Sequence, residues 1–376
     1  MEAECYFIRA YSYYQLANVY CLPFTEANKD ELGLPLKELT SFEESVERAT
    51  LGQTQAFIEA DLMEALELNS SLKLVNGKYR TWRASTAAVN AFAARYYLSL
   101  RDYEKAQTYA EKALSEHDLL RDYNTGMRYS DIISQVTIFN PDATTVTLEY
   151  PYTHDNQTDP TDMLEWEESY FLRYLNNPFW YYIPSQDLLD LYDHTYDLRY
   201  KYHMVEHYSY DRGATNPPYD HPGYIFFFKD KILNGPSVPE MLLIKAECQI
   251  RQGSWQQGIQ TANQLRAVRM DVNAPANVIN LSAATQAEAL TKVLEERRRE
   301  MPFTMRWYDV RRYNNNSEAS DDVVMTRTFY PYNANAVLGN ETPVTYELEK
   351  NSRRFANPIP NTDILSSNGV IKQNEY

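Results

Sequence analysis

Two histidines and a glutamate in HMVEH, residues 203–207, have the spacing of the H-x-x-E-H zinc motif. Zinc ligation by His203 and His207 requires both rings on one face of a helix. The surrounding stretch, YKYHMVEHYSY, alternates like a strand and carries tyrosines on both flanks. In a strand the two histidines would lie roughly 13 Å apart, too far for one metal ion. The sequence therefore predicts no metal site here.

Acidic residues beside a tryptophan suggest a second chemistry, glycoside hydrolysis. Glu165, Glu167 and Glu168 flank Trp166, and glycosidases use two carboxyl groups at a set separation. In an acid-rich chain, however, a run of glutamates is usually a solvated face. DNQTD, 155–159, lacks the full spacing of a calcium loop and leaves a cation site there open. No G-x-S-x-G, P-loop or G-x-G-x-x-G motif occurs, and we expect no cofactor.

The stretch LEERRREMPFTMRWYDVRRYN, 294–314, is rich in arginine although the chain has a formal net charge of −16. Helical phasing places Arg297 on an apolar stripe with its neighbouring leucines and methionine. A buried charge needs a partner, and Asp309 and Glu300 are the expected ones. Glu295 and Arg299 are spaced for an i,i+4 pair. We therefore interpret the stretch as a structural ion-pair network and not as an anion-binding patch.

Composition narrows the class of protein. A sequence pI near 4.9 argues against a nucleic-acid partner, because phosphate binding needs a basic surface. The 32 tyrosines suit wet interfaces and sugar-like ligands, although many are expected to pack in the core. Three cysteines without metal-ligand spacing predict buried thiols. No apolar run is long enough to span a membrane.

The elements that must position these residues are mainly helical. Residues 3–21 and about 42–69 have helical periodicity, and 83–114 reads as helix, turn and helix. Small and aromatic residues in 83–114 have the spacing of a tetratricopeptide repeat, and 239–269 repeats that pattern. The predicted fold is mostly α, with tetratricopeptide-like helical hairpins in 1–114 and 239–312 forming a frame.

Two segments lack this periodicity. Residues 115–238 are rich in Tyr, Pro, Asn and Asp, with strand-like runs at 144–150 and 224–228 and a short helix at 184–193. Residues 313–357 are rich in Asn and Tyr. We expect these segments to form the loop-rich, ligand-facing part of one domain that spans 1–376, because binding residues concentrate on loops held by a rigid scaffold.

Four blocks, taken in order, resemble the SusD/RagB family of Bacteroidetes. They are RAYSYYQLANVYCLPF at the start, the repeat at 83–114 with PSQDLLDLYDHTYDLRY, the repeat at 239–269 with the arginine-rich stretch described above, and the ending FANPIPNTDILSSNGVIKQNEY. Cys21 stands where the family often has glycine, and Leu198 replaces a common proline. The blocks cover most of the helical chain.

The resemblance implies a non-enzymatic, outer-membrane lipoprotein of the cell surface. Such a protein holds glycans or other nutrients and delivers them to a SusC-like TonB-dependent transporter. The family's signal peptide, lipid anchor and first helices are expected upstream of Met1, because the sequence opens directly in a helical pattern. Family binding residues vary, so no binding residue is transferred by motif.

Aromatic residues of the irregular segments are the candidate ligand contacts, since sugar rings pack on aromatic faces. They fall into three groups. The residues of the first group are four positions apart and would share one face of a helix. Those of the second group follow an Asn-Asn-Pro turn, and those of the third flank the loop 211–223. They are Trp166, Tyr170 and Tyr174; Trp180, Tyr181 and Tyr182; and Tyr208, Tyr210, Tyr219 and Tyr224. The alternatives are a helical-repeat scaffold for protein partners, a binder of a non-glycan nutrient, and a glycosidase.

Overall fold

The structure is a computed structural model that describes residues 1–41, 43–139, 142–155, 160–176, 182–212, 220–334 and 336–376. Helices dominate these residues, with strands confined to short pairs. The α-helices are α1 (Glu2–Tyr20), α2 (Leu51–Leu66), α3 (Thr86–Ser99), α4 (Tyr103–Glu116), α5 (Tyr123–Gly126), α6 (Gln186–Leu189), α7 (Leu198–His203), α8 (Tyr208–Asp211), α9 (Val238–Arg251), α10 (Trp255–Arg269), α11 (Ala276–Ile279), α12 (Gln286–Glu300), α13 (Arg306–Tyr313) and α14 (Asn361–Ser366). The mostly α fold class predicted from the sequence is confirmed.

Helix pairs α3–α4 and α9–α10 form the two hairpins of the frame. The alanines on their facing sides are fully buried, including Ala94, Ala110, Ala246 and Ala262. Small side chains let the helix axes approach closely, as in tetratricopeptide repeats. Helix α4 begins at an aspartate cap, where the carboxylate of Asp102 accepts a hydrogen bond from the backbone of the third helical residue.

Helix α2 begins later than the periodicity of 42–69 predicts. Strand β2 (Arg48–Thr50) pairs with β1 (Leu32–Pro35) directly before it. The side chain of Thr50 then accepts from Gln53 N, and the Gln53 side chain accepts from Thr50 N. This capping box satisfies two free amides and fixes the start at Leu51.

Strands occur in antiparallel pairs, each two-stranded in the part of the chain that is described. Besides β1 and β2 they are β3 (Leu74–Val75), β4 (Lys78–Tyr79), β5 (Ser134–Phe139), β6 (Ala143–Leu148), β7 (Tyr174–Asn176), β8 (Met204–Val205), β9 (Gly223–Tyr224), β10 (Lys231–Leu233), β11 (Met325–Phe329), β12 (Tyr332–Asn333), β13 (Ala336–Val337) and β14 (Val344–Leu348). The pairs are β3–β4, β5–β6, β7–β10, β8–β9, β11–β14 and β12–β13.

Three sequence-based expectations about strands are wrong. The run 224–228 contributes only its first residue to a strand. The HMVEH region is not one strand, because α7 ends at His203 and His207 turns the chain with a φ of 59° before α8. Segment 313–357 is not simply irregular, since β11 and β14 form an antiparallel pair with Arg327 opposite Tyr346.

The largest hydrophobic cluster lies between the frame helices and reaches into the irregular part. Phe7 and Tyr11 of α1 contact Phe92 of α3, and Phe171 packs edge-on against Phe7 with ring centroids 4.8 Å apart. Smaller clusters lie under the loops of 123–233. Among the described helices, none is both long and apolar enough to cross a membrane.

Candidate ligand-binding cleft

A cleft of about 480 Å³ opens in the irregular part of the chain. Two short 3-10 helices, Tyr152–Asp155 and Pro160–Glu165, contribute its walls, and residues beside α5 contribute arginines. The lining side chains combine aromatic rings with charged groups: Arg121, Arg128, Tyr152, Thr153, Asp155, Glu165, Trp166 and Phe227.

The floor of the cleft is built around a guanidinium stacked on an indole. The Arg121 Cζ lies 4.6 Å from the centre of the Trp166 ring. Its Nη1 donates to Tyr152 Oη at 3.0 Å, and its Nη2 donates to Glu165 O at 3.2 Å and to the Glu167 carboxylate. Arg121 therefore ties together three of the segments that surround the cleft, and its geometry fixes the Tyr152 ring.

The indole is anchored from below by a buried acid. Trp166 Nε1 donates to Glu168 Oε2 at 3.0 Å, while Glu168 Oε1 accepts from Arg269 Nη2 at 2.6 Å and from Arg121 N at 2.9 Å. Burial raises the pKa of Glu168, and the Arg269 guanidinium opposes that shift. The cleft is thus joined to the charged core of the frame through one carboxylate.

The mouth of the cleft carries the groups that remain open to a ligand. The Arg128 guanidinium lies 5.2 Å from the Tyr152 ring centre, and Arg128 is an exposed residue. The Glu165 side chain is 58% exposed and contacts Lys78 Nζ at 3.3 Å. Aromatic surface beside forked donors and carboxylate acceptors suits a polyhydroxylated ligand, whose C–H faces and hydroxyl groups need both.

The first group of predicted aromatics does not form a shared face, because 166–174 is not helical. Trp166 lies at the cleft with 4% of its surface exposed. Tyr170 is fully buried, and its Oη donates to His117 O at 2.6 Å. Tyr174 is an exposed residue at the start of β7. The spacing of four residues therefore brings only Trp166 to the cleft.

The remaining aromatics are dispersed. Trp180, Tyr181 and Tyr219 lie outside the described residues. Tyr182 is half-buried, with its ring 5.3 Å from that of Phe303, and Tyr210 is half-buried in α8. Tyr208 and Tyr224 are buried. Ligand contact by this set stays a prediction, and the structure does not gather its described members at the cleft.

Sequence reasoning missed Arg121, Arg128, Tyr152 and Phe227 as lining residues. They lie in separate loop and 3-10 segments, where no helical or strand periodicity indicates which side chains face one another. The sequence offers only a weak indication of these lining residues, namely an arginine and a tyrosine that each lie close to an acidic residue in a Tyr-rich insertion.

The two histidines of HMVEH do not meet. His203 is buried, with Nδ1 2.8 Å from Ile225 O and Nε2 3.2 Å from Tyr123 Oη, so both ring nitrogens are occupied. Burial lowers the pKa of His203 to about 4. His207 instead contacts the Asp220 carboxylate at 2.6 Å. The described residues contain no group of three His, Cys, Asp or Glu side chains placed to hold a metal ion.

The arginine-rich stretch lies inside the frame. Arg297 is buried, and its Nε donates to both Asp309 oxygens at 2.9 Å. The predicted pair of Arg299 with Glu295 is wrong, because Arg299 Nη2 donates to Glu296 at 2.8 Å. Glu296 is on the buried side of α12, one residue further round than Glu295. Arg297 contacts Glu240 at 3.6 Å as a second acid, and not Glu300.

Glu300 instead links two arginines from other segments. Arg269 Nη2 donates to it at 2.9 Å, and Arg199 Nη1 donates to it at 2.9 Å. Because Arg269 also binds Glu168 beneath the cleft, this part of the ion-pair network supports the cleft floor. The role of these ion pairs is structural, because they hold Glu168 beneath Trp166.

Comparison with known protein families identifies the class. A family model described as "SusD family" matches residues 239–376, and one described as "Starch-binding associating with outer membrane" matches residues 1–98. The chain belongs to the SusD/RagB family, as its sequence blocks indicate. No curated protein matches the chain.

Solved structures share the fold at low sequence identity. A SusD superfamily protein from Bacteroides thetaiotaomicron VPI-5482 has 18% identity and a TM-score of 0.66, over 100% of this chain and 77% of that one. A SusD superfamily protein from Bacteroides vulgatus ATCC 8482 has 18% identity and a TM-score of 0.63, over 99% and 76%. A SusD-like carbohydrate binding protein from the same B. vulgatus strain has 15% identity and a TM-score of 0.60, over 98% and 76%.

Proposed function

We propose that this protein is a non-catalytic, cell-surface receptor that captures an oligo- or polysaccharide in the cleft formed around Tyr152 and Trp166. The proposal rests on the combination of the half-buried Tyr152 ring with charged hydrogen-bonding groups in one cleft of a SusD-family fold. A related structure is that of a SusD-like carbohydrate binding protein, which supports a glycan as the ligand class.

The proposal extends to delivery of the glycan. A family model matching the first part of the chain is described as associating with the outer membrane. We therefore propose that the receptor is held at the outer membrane by a lipid anchor and passes its ligand to a SusC-like TonB-dependent transporter. Co-purification of the full-length protein with such a transporter tests this step, and loss of the transporter from the complex in mild detergent would count against it.

Binding is favoured over hydrolysis by the surroundings of the acids. A glycosidase needs one carboxyl group held protonated, usually by apolar surroundings. At the cleft, Glu165 is solvent-exposed and paired with Lys78. We expect no release of reducing sugar from any bound glycan, and release that disappears in a Glu165→Gln variant would replace the receptor proposal with a glycosidase.

Calorimetry with a panel of plant and host polysaccharides tests capture. Replacing Tyr152 with alanine should weaken binding about fivefold, since stacking on one aromatic ring is worth roughly 1 kcal/mol. Tyr332→Ala is the matched control, because Tyr332 is 61% exposed on the strand β12, outside the cleft lining. Equal losses in both variants, or binding that Tyr152→Ala leaves unchanged, would place the ligand elsewhere.

A further inference from the structure

A second and larger cleft, of about 740 Å³, lies at one end of the helical frame. Residues near the starts of α4 and α12 and near the ends of α9 and α13 line it, so it shares no lining residue with the cleft at Tyr152. Its volume is in the range of small-molecule sites, roughly 300–1,000 Å³. The polar groups of this frame-end cleft indicate what it could hold.

Arg101 brings a positive charge to the frame-end cleft without an acidic partner. Its Nη1 donates to Ser99 O at 3.1 Å and its Nη2 to Phe24 O at 2.7 Å. Within the described ranges no carboxylate pairs with it. Burial lowers the pKa of Arg101, and the nearby Arg312 guanidinium lowers it further. Carbonyl oxygens alone leave the charge of this guanidinium uncompensated.

The backbone at this arginine is also unfavourable. Arg101 has a φ of 64°, in the left-handed region that follows the end of α3 and that glycine occupies most easily. A non-glycine residue there is strained, because its Cβ lies too close to the following carbonyl oxygen. Such strain persists where the side chain has a role that outweighs it. The hydrogen bond from Arg101 to Phe24 O is one such role. Binding of an anion by the Arg101 charge at the cleft would be another.

Arg251 and Tyr103 add two hydrogen-bond donors that nothing in the described chain accepts. The Arg251 side chain is only 7% exposed; its Nε donates to Glu247 at 2.8 Å and its Nη2 to Asp321. Its Nη1 has no acceptor among the described residues. The guanidinium lies 5.0 Å from the Tyr103 ring centre, and Tyr103 Oη is buried without a hydrogen-bond partner. An unmatched buried donor such as the Tyr103 hydroxyl is costly and is usually satisfied by a ligand or water.

The uncompensated charge of the lining is that of Arg101, because Arg251 is already paired with Glu247 and Asp321, and this charge favours an anion. Glu318 is the carboxylate among the lining residues, and it is an exposed residue whose Oε1 accepts from Ser320 N at 3.3 Å and Ser320 Oγ at 2.8 Å. Gln286 and Ser317 provide neutral hydrogen-bonding groups around the donors. Two guanidiniums and a phenol hydroxyl match the two oxygens of a carboxylate, which forked donors recognise well.

We propose that the frame-end cleft binds the carboxylate of a small acidic ligand, with Arg251 and Tyr103 donating hydrogen bonds and Arg101 supplying charge. The carboxylate could belong to an acidic sugar or to an acidic amino acid, and the two sources are separated by the probes. This site is independent of glycan capture at Tyr152.

Ligand-observed NMR with three probes tests the proposal. D-glucuronate and N-acetyl-L-glutamate carry a carboxylate, and D-glucose is the neutral control. Binding by both acids supports a general carboxylate site, binding by glucuronate alone supports an acidic-sugar site, and binding by N-acetylglutamate alone supports an amino-acid site. Affinity for the bound acid should fall as sodium chloride is raised from about 0.02 to 0.3 M, because salt screens charge pairing.

Two opposed variants give the decisive readout. Tyr103→Phe should weaken acid binding about fivefold, the equivalent of one lost hydrogen bond. Glu318→Gln should strengthen it about twofold by removing a like charge. Tyr152→Ala should leave it unchanged, which separates this site from the glycan cleft. Absence of binding by both acids in the folded wild type, or binding that neither Tyr103→Phe nor Glu318→Gln alters, would overturn the proposal.

Discussion

Replacing Glu247 with glutamine should destabilise the protein by several kilocalories per mole, roughly the cost of breaking a buried ion pair. Glu247 is fully buried on α9, where its carboxylate accepts from Arg312 Nη1 at 2.6 Å and from Arg312 Nη2 at 2.7 Å. It also accepts from Arg251 Nε at 2.8 Å. A neutral amide would leave both guanidiniums buried with less compensating charge.

The magnitude follows from two independent considerations. Removing one member of a buried ion pair typically costs about 3–5 kcal/mol. Burial opposes the Glu247 carboxylate, but the guanidiniums of Arg312 and Arg251 outweigh it and lower the pKa of Glu247 from 4.5 to about 2. That shift corresponds to roughly 3 kcal/mol, since one pKa unit is about 1.4 kcal/mol. Because the pKa is lowered, this stability is present above pH 4.5 and is lost as the pH falls toward 2.

Urea unfolding followed by circular dichroism measures the loss. We expect Glu247→Gln to lower the free energy of unfolding by about 3 kcal/mol at pH 7, and the difference from wild type to shrink as the pH falls from about 4.5. Glu111→Gln is the matched control, since Glu111 pairs with Lys245 at 3.4 Å on the surface and should cost less than about 1 kcal/mol. A loss below about 1 kcal/mol for Glu247→Gln would refute the view that the arginine-rich stretch is framework.

Two further predictions concern packing and thiol exposure. Gly258→Ala should cost about 1–3 kcal/mol in urea unfolding, because a Cβ there would lie 2.4 Å from an Ile250 side-chain carbon, whereas Gly339→Ala, with open space around it, should change stability by less than about 0.5 kcal/mol. Equal effects would contradict the close approach of α9 and α10. In the native protein iodoacetamide should modify one thiol, that of Cys5, and all three in urea. The sequence-based expectation that all three thiols are buried is wrong for Cys5, which is exposed. Burial raises the pKa of Cys21 to about 11, and mass spectrometry showing rapid native modification of more than one thiol would contradict its burial.

The sequence predicts the frame well because its signals are local. Alanines at repeat spacing require close helix packing, and the phase of one helix is enough to place Arg297 on a buried face. Asp309 is only 12 residues away, so its pairing with Arg297 could be anticipated. The pair of Arg312 with Glu247 joins residues 65 apart on different helices, and no periodicity specifies that distance.

The cleft was less predictable for the same reason. Trp166 was identified by residue type, but the rule that placed Tyr170 and Tyr174 beside it assumed a helix that does not form. Arg121 and Tyr152 approach Trp166 from separate segments, and the Arg121 guanidinium donates to the Tyr152 hydroxyl and to the Glu165 backbone carbonyl. Contacts of this kind depend on the tertiary fold and leave no regular pattern in the sequence.

A crystal structure of the protein with the tightest-binding oligosaccharide of the panel tests the receptor account most directly. We expect a sugar ring against Tyr152, with hydroxyl groups within hydrogen-bonding distance of the lining residues Arg128 and Asp155. A sugar ordered elsewhere, for example on the exposed rings of Phe329 and Tyr346 in the β11–β14 pair, with the cleft free of sugar, would contradict the proposed receptor site.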